Sequence, residues 1–210
     1  MKILTAGSAC LVLGALLVPR CRAQDRAALE AVRGEVSALR KGARTAVPVK
    51  TGDSLGFADE VRTSSGALAH VAFPNGGIVL VKGGSSFVIG GNVQRPRLFF
   101  PIGEFLIGFK RKLQSGHHLR VRTPSAVAAV RGTLFWGKSD EKKESVFACF
   151  DGSITVEAEG ATVVLEPGQK VRIPFGSPPT EVGPADIPLS YVDTFSVDGS
   201  LQGLDELLKK

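Results

Sequence analysis

The stretch VRTPSAVAAVRGTLFWG, Val121 to Gly137, joins a Thr-Pro step, alternating small residues, an Arg-Gly-Thr corner and a bulky apolar end. Pro124 has no amide donor and is typical of the start of a strand. Alternate residues of a strand point to opposite faces, and both faces here carry small side chains: Ala126, Ala128 and Val130 on one, Val127 and Ala129 on the other. Such a pattern predicts a central strand covered at close range on both faces.

The second half of the stretch is expected to contain a change of chain direction. Gly132 predicts a bulge or a sharp bend, after which Leu134 and Trp136 share one face and Phe135 takes the other. The planar guanidinium of Arg131 suits an anionic ligand. It equally suits backbone carbonyls left without a hydrogen bond at a bulge, or a buried acidic side chain. No second polar group completes a pocket, so we favour a structural motif over a ligand site. Its members are Thr123, Pro124, Arg131, Gly132 and Thr133.

Outside this stretch, turn signals recur about every ten residues between positions 32 and 173. Between them lie short apolar or alternating runs such as ALAHVAF, GIVLV, SFVIG, VFACF and ATVVLE. This pattern predicts an antiparallel all-β fold. A first strand is expected over Ala31–Leu39, although Leu29, Val32 and Val36 also fit helical spacing.

The first 23 residues are typical of a secretory signal peptide: a positive start at Lys2, an apolar run, a break at Pro19 and a small residue at Ala23. The apolar run falls short of the roughly 20 residues of a membrane span, although an uncleaved anchor stays open as an alternative. Arg20 directly before Cys21 argues against a lipoprotein. We therefore expect a periplasmic or secreted protein with no transmembrane helix after signal removal.

Removal of that segment changes the composition of the working protein. Cys149 becomes its only cysteine, which excludes an internal disulfide. The net charge of +6 loses Lys2, Arg20 and Arg22 and becomes +3. A modest charge in an extracytoplasmic compartment argues against nucleic acid as a partner.

Residues 24–175 form the predicted β domain, and residues 176–210 form what we call the C-terminal arm. Its start is rich in proline and turn residues and predicts an extended segment. Its end carries a small amphipathic stripe, Leu201, Leu204, Leu207 and Leu208, with Asp198 or Ser200 as helix N-cap. A short helix covering the β domain is favoured over a docking peptide for a partner.

An ordered set of elements resembles the extracytoplasmic FecR domain. The set runs from VKTGDSLGFADEVRTSSGALAHVAFPNGG through SSFVIG, LFFPIGEFLIGF and RVRTPSAVAAVRGTLFWG to VFACFDGSITVEAEGATVVLEPGQKV, over about residues 34–173. The resemblance implies an all-β domain, a twisted β-sandwich or short β-roll of about ten or more short strands. In the best-known member such a domain senses an outer-membrane receptor and controls a sigma factor. A signal that begins at Met1 leaves no preceding cytoplasmic region, so direct sigma-factor control is not expected here.

Catalysis finds little support in the residue inventory. His70 falls within a strand pattern, and the adjacent His117 and His118 point to opposite faces of any strand, so they chelate one metal poorly. Cys149 lies between large apolar residues, where a thiol is usually inert. No nucleophile elbow or phosphate-binding glycine loop is present. We expect no enzyme activity, no cofactor and no metal site.

A basic end is the most promising contact surface. If EFLIGFKRK and HLRVRT pair as a hairpin, one end of the domain gathers Lys110, Arg111, Lys112, Arg120 and Arg122. Such a surface suits an acidic envelope protein or an anionic glycan, whereas the plain alternative is a solubilising strand edge. Two functions follow: a non-enzymatic exported binding and signalling module, or a structural component of the cell envelope.

The signal-peptide pattern makes a direct prediction about processing. Cleavage after Ala23 should leave Gln24 as the first residue of the exported protein. Mass spectrometry of the exported chain measures this, and a membrane-bound species that retains Met1 would contradict it.

Overall fold

The computed structural model describes residues 26–92, 95–109, 118–130, 132–201 and 204, and within these no helix is long and apolar enough to cross a membrane. Among the described residues the regular secondary structure is almost entirely strand, as the sequence predicts. The strands are β1 (Ala27–Arg33), β2 (Val36–Leu39), β3 (Val47–Pro48), β4 (Ser54–Leu55), β5 (Glu60–Thr63), β6 (Leu68–Ala72), β7 (Gly77–Lys82), β8 (Ser86–Gly91), β9 (Pro96–Phe109), β10 (Leu119–Arg122), β11 (Val127–Val130), β12 (Leu134–Ser139), β13 (Ser145–Asp151), β14 (Ile154–Ala158), β15 (Ala161–Leu165), β16 (Gln169–Ile173) and β17 (Gly183–Pro184). A short 3-10 helix follows at Leu189–Phe195.

The strands form two layers that share one strand. Sheet A has the order β4-β1-β6-β7-β9-β12-β13-β16-β17, and sheet B has the order β3-β2-β5-β8-β9-β10-β11-β14-β15. All pairs are antiparallel except β9 with β10, which is parallel. The first half of β9 pairs in sheet B and its second half pairs in sheet A, so the expected all-β sandwich is a single hydrogen-bonded sheet folded over at β9.

The fold in β9 depends on Gly103. Its φ of +128° lies in a region that L side chains rarely adopt, and a Cβ there would meet Ser85 Oγ at 2.2 Å. The alternation of the strand also changes at this point. Leu98 and Phe100 face the core before the bend, whereas Phe105 and Ile107 face it afterwards.

The main core lies between the two sheets, and aromatic rings join the layers across the bend. Phe87 stacks on Phe100 with ring centroids 5.1 Å apart, and Phe100 stacks on Phe105 at 4.1 Å. Phe105 then meets the edges of Phe135 and Phe147. These rings are fully buried, so they contribute a large share of the apolar area removed from water.

The stretch Val121–Gly137 is structural, because it crosses from one sheet to the other. β11 lies between β10 and β14 in sheet B, and β12 lies between β9 and β13 in sheet A. Gly132 has a φ of +104° at the crossing, as a bend requires. Trp136 faces outward with Leu134, and Phe135 faces the main core, which confirms the predicted alternation.

Two details of the prediction for this stretch are wrong. Val127 and Ala129 are half-buried rather than covered, because nothing in the described chain packs over the outer face of sheet B at this point. Pro124 lies in the turn between β10 and β11 instead of opening the strand. That turn is held by Thr123, whose backbone N–H donates to Ala126 O at 2.9 Å. A buried hydroxyl chain adds to it, with Ser125 donating to Ser145 at 2.6 Å and Ser145 to Thr123 at 2.8 Å.

The first predicted strand is in fact two strands in different sheets. β1 ends at Arg33 and pairs in sheet A, while β2 begins at Val36 and pairs in sheet B. Gly34 has a φ of +77° between them and would place a Cβ 3.0 Å from Ala67 Cα. The helical alternative is therefore wrong for this segment.

The C-terminal arm packs on sheet A instead of extending freely. β17 extends the edge of sheet A beside β16. Val192, Phe195, Leu201 and Leu204 then form a second core over the outer face of sheet A. Asp198 has a φ of +53° in a tight turn, so it is not a helix N-cap. Leu207 and Leu208 lie outside the described residues.

A polar network anchors the arm to sheet A. Glu104 Oε1 accepts hydrogen bonds from Lys82 Nζ at 2.9 Å, Trp136 Nε1 at 3.0 Å and Tyr191 OH at 2.8 Å. Lys82 Nζ also lies 4.0 Å from the Tyr191 ring centroid and 4.5 Å from that of Phe195. Burial alone would raise the pKa of Glu104, but these donors and the Lys82 charge outweigh it and hold the pKa below 4.5.

Replacing Ala128 with leucine should destabilise the protein. The Ala128 side chain is fully buried in the main core, and overpacking of this kind costs about 1–3 kcal/mol. Ala129→Leu is the matched control, because the Ala129 side chain is half-buried and points to the outer face of sheet B. Urea unfolding measures both; equal midpoints for the two variants would contradict the assigned faces.

Glu104→Gln should remove part of the acid sensitivity of the fold. A pKa held below 4.5 means that the folded state binds this proton less tightly than the unfolded chain. The stabilisation is present above pH 4.5 and is lost as the pH falls through the lowered pKa. The variant should therefore be less stable at neutral pH, and the difference from wild type should shrink in acid.

Denaturant unfolding over a pH series measures that difference. Glu141→Gln, at an exposed turn carboxylate, is the control. The same pH dependence for both variants would contradict the role of Glu104.

Candidate functional site

The outer faces of the two sheets differ in what covers them. The outer face of sheet A lies beneath the C-terminal arm, whereas within the described chain no segment packs over the outer face of sheet B. On the middle of that open face, three exposed arginines lie on two neighbouring strands: Arg97 on β9, and Arg120 and Arg122 on β10. We call the surface made by these arginines and Phe99 the basic face.

The parallel pairing of β9 with β10 creates the basic face. Arg120 is the register partner of Arg97, and Arg122 is the partner of Phe99. All four side chains point outward, because Leu98, Phe100, Leu119 and Val121 take the alternate positions and are buried. The guanidinium of Arg122 lies 5.9 Å from the centroid of the Phe99 ring, at the limit of a cation–π contact.

This pairing corrects the predicted hairpin. The end of β9 pairs with β7 and β12 in sheet A, so it is not the neighbour of β10. Arg120 and Arg122 therefore gather with Arg97 from the start of β9. Lys110, Arg111, Lys112 and His117 lie outside the described residues, as does Arg131, and their predicted roles stay predictions.

A shallow groove of about 590 Å³ runs across the basic face. The arginines form its charged rim, and its floor is apolar, made by Val88 and Gly90 of β8 and Val127 of β11. Phe99 also lines the groove with 38% of its surface exposed, one of the few large apolar side chains that are exposed among the described residues. An apolar floor within a charged rim is the usual make-up of a recognition site.

A second hollow of about 400 Å³ lies on the other side of Arg120. Its lining is mostly polar and includes His118 beside β10 together with Ser153, Thr155 and Glu157 at the start of β14 and along it. Arg120 therefore contributes to both hollows, and the recognition surface extends from β8 to β14.

The arginines of the basic face form no ion pair within the described part of the chain, although Glu157 lines the second hollow together with Arg120. Like charges side by side on neighbouring strands are destabilising, so an acidic group placed between Arg97 and Arg120 would relieve their repulsion. Each guanidinium also offers a planar pair of donors that matches a carboxylate or a phosphate.

The histidine and cysteine side chains that the structure describes are occupied in other ways. His70 is buried, its pKa is lowered mainly by that burial, and its Nε2 donates to Phe195 O at 2.7 Å, which helps to hold the arm. Burial raises the pKa of Cys149 to about 11, with smaller contributions from Glu166 and Asp151. In the described part of the chain, no three His, Cys, Asp or Glu side chains come together as metal ligands do.

Sequence reasoning missed Arg97 and Phe99. The signal was present in PRLFF, where Arg97 and Phe99 alternate with the apolar Leu98 and Phe100. That alternation places one basic and one aromatic residue on a solvent face. The parallel pairing that brings them beside Arg120 is long-range and has no local sequence signature.

Known structures share this fold. Two crystal structures of a candidate anti-sigma factor from Parabacteroides distasonis align with a TM-score of 0.56 at 18% sequence identity. The alignment covers 63% of this chain, and this chain spans 63% and 62% of the lengths of those two. At that identity the likeness concerns the fold alone. No curated protein sequence matches this chain.

The family model described as FecR protein matches residues 59–155. The match begins at Asp59, a buried carboxylate that accepts hydrogen bonds from Arg40 Nη1 at 2.8 Å and from the backbone of Gly56 and Lys41. It includes the basic face and the crossing at Gly132 and ends in β14. Residues 59–155 therefore match the FecR family, as the resemblance in the sequence predicts.

Proposed function

We propose that this protein is a non-enzymatic, exported signalling module that binds an acidic surface of an envelope protein through the basic face. The observation that carries the proposal is the arginine trio on an open sheet face, beside an exposed phenylalanine and without an ion pair among the described residues. Charged groups that the fold does not neutralise are available to a partner.

The family match supports a regulatory role. FecR proteins and the anti-sigma factor named for the similar structures are regulators. Regulators of this kind act by contact, and the side chains best suited to catalysis here, His70 and Cys149, are buried in packing roles. The apolar start of the sequence with Ala23 at the cleavage position supports export.

The chemistry of the basic face favours a protein over a simple polyanion. The groove has an apolar floor at Val88 and Val127 in addition to its arginines. An acidic protein surface supplies apolar side chains for that floor together with carboxylates for the rim, whereas a polyanion supplies the charge alone. Binding should therefore weaken, but persist, as salt screens the charges.

A structural envelope component is the less favoured function. Such a role would use the C-terminal arm as a tether to an assembly. The described part of the arm instead packs on its own sheet A through Val192, Phe195 and the Tyr191 hydroxyl. These residues are used inside the molecule and are not free to hold a neighbour.

Reversing the charges of the basic face should abolish partner capture. The test variant carries Arg97→Glu, Arg120→Glu and Arg122→Glu, and the expected result is at least a tenfold loss of recovered partner in a pull-down from envelope extract, about 1.4 kcal/mol. Because these side chains are exposed and unpaired in the described structure, the fold should not change.

The matched control reverses three exposed cations outside the basic face, Arg44, Lys50 and Lys142. It changes the net charge equally and should retain the partner. Protease treatment of the extract should remove the captured material; capture that survives it would assign the face to a glycan. Equal recovery by the two variants would refute a role for the basic face.

A further inference from the structure

Three of the four outer strands of the two sheets are protected against pairing with another chain. β4 ends one side of sheet A and β17 the other, and β3 ends one side of sheet B. Each has only two residues, and β3 and β17 each include a proline. Short edge strands and prolines are common ways of preventing strand addition.

β15, the fourth outer strand, lacks these protections. It has five residues, Ala161–Leu165, all uncharged, with neither proline nor bulge, and three of them are β-branched. Within the described chain it pairs only with β14. Val164 is 52% exposed and is among the most exposed large apolar residues described. An edge of this kind is a template for a further strand.

The hairpin geometry identifies the free hydrogen-bonding groups of β15. Glu159 and Gly160 both have positive φ, so β14 and β15 are joined by a two-residue turn with Ala158 and Ala161 as a hydrogen-bonded pair. Pairs alternate along an antiparallel ladder. The N–H and C=O groups of Thr162 and Val164 therefore point away from β14.

We propose that β15 pairs with β15 of a second copy of this chain, antiparallel about a two-fold axis at Val163. In this register Thr162 of one copy pairs with Val164 of the other, and Ala161 pairs with Leu165. The strand is uncharged throughout, so no like charges oppose each other. β-branched pairs across strands are favourable, and the strand is therefore complementary to itself.

The dimer would join two copies of sheet B into one continuous sheet. The two basic faces would then lie on a shared surface, with their β10 strands about 34 Å apart at a strand spacing of about 4.8 Å. A partner with two acidic sites would engage both copies and gain avidity. This inference does not rest on the proposed function, because pairing at β15 leaves the basic face open.

Val164→Pro tests the strand pairing. Proline removes the outward N–H of residue 164, which has no partner in the described part of the chain, so the folded protomer should be retained. The mass of the full chain in solution, from light scattering over a range of concentrations, should be that of a dimer for wild type and of a single chain for the variant. Circular dichroism checks that the variant is folded.

Val164→Thr is the matched control, because it keeps the N–H and the β-branched shape but removes apolar surface. Retention of the dimer supports backbone pairing. Loss of the dimer in both variants would assign association to an apolar patch and overturn the proposal. A wild-type protein that is a single chain at every concentration, or a dimer in Val164→Pro, would overturn it as well.

Disulfide trapping tests the register independently of any proline effect. Val163→Cys places two thiols at the two-fold axis in a non-hydrogen-bonded pair, close enough to link under oxidation. Thr162→Cys places the two thiols at diagonal positions across the strand pair, where they are farther apart and should link poorly. The native Cys149 is buried and does not compete, and Cys10 and Cys21 are replaced by serine in both variants. Efficient linkage at position 162 instead of 163, or at neither position, would refute the register.

Discussion

The whole architecture depends on one strand that belongs to both sheets. β9 leaves sheet B and enters sheet A within a single run, and Gly103 at the bend leaves no room for a side chain beside Ser85. Phe100 before the bend stacks on Phe105 after it, so the two layers are joined covalently and by packing at the same place. The strands on either side of β9 then extend both sheets outward from this point.

The same strand also gives the two outer faces their different character. Past the bend, Leu106 points outward and is covered by the arm, together with Trp136 and Leu134 from β12. Before the bend, Arg97 and Phe99 point outward and stay exposed. An apolar face must be covered, and the arm covers it; a basic face is stable in water and can stay open.

Local patterns in the sequence predicted the local structure well. Turn spacing predicted the all-β fold, and alternation predicted the faces of Leu134, Phe135 and Trp136 because a strand has a fixed period of two. The bend at Gly132 followed from the properties of glycine. The predictions that failed concerned long-range strand pairing. The parallel neighbour of β10 and the split of the first strand at Gly34 both depend on which distant strands meet.

Two properties of β9 explain why half of the candidate site was missed. Its inward positions are even before the bend and odd after it, so one uninterrupted period of two misassigns one half of the strand. The neighbour of the first half is set by long-range parallel pairing, so no local pattern in the sequence places Arg97 beside Arg120. Three features that usually destabilise a β-sheet or expose it to other chains lie in sheet B: adjacent like charges, an exposed aromatic ring and an unprotected edge strand. Each of these costs stability in isolation, whereas the face and edges of sheet A are protected by the arm and by short strands. A chain that protects one sheet so fully leaves its unpaired charges and its open strand edge on the other sheet, which is where we propose that partners bind.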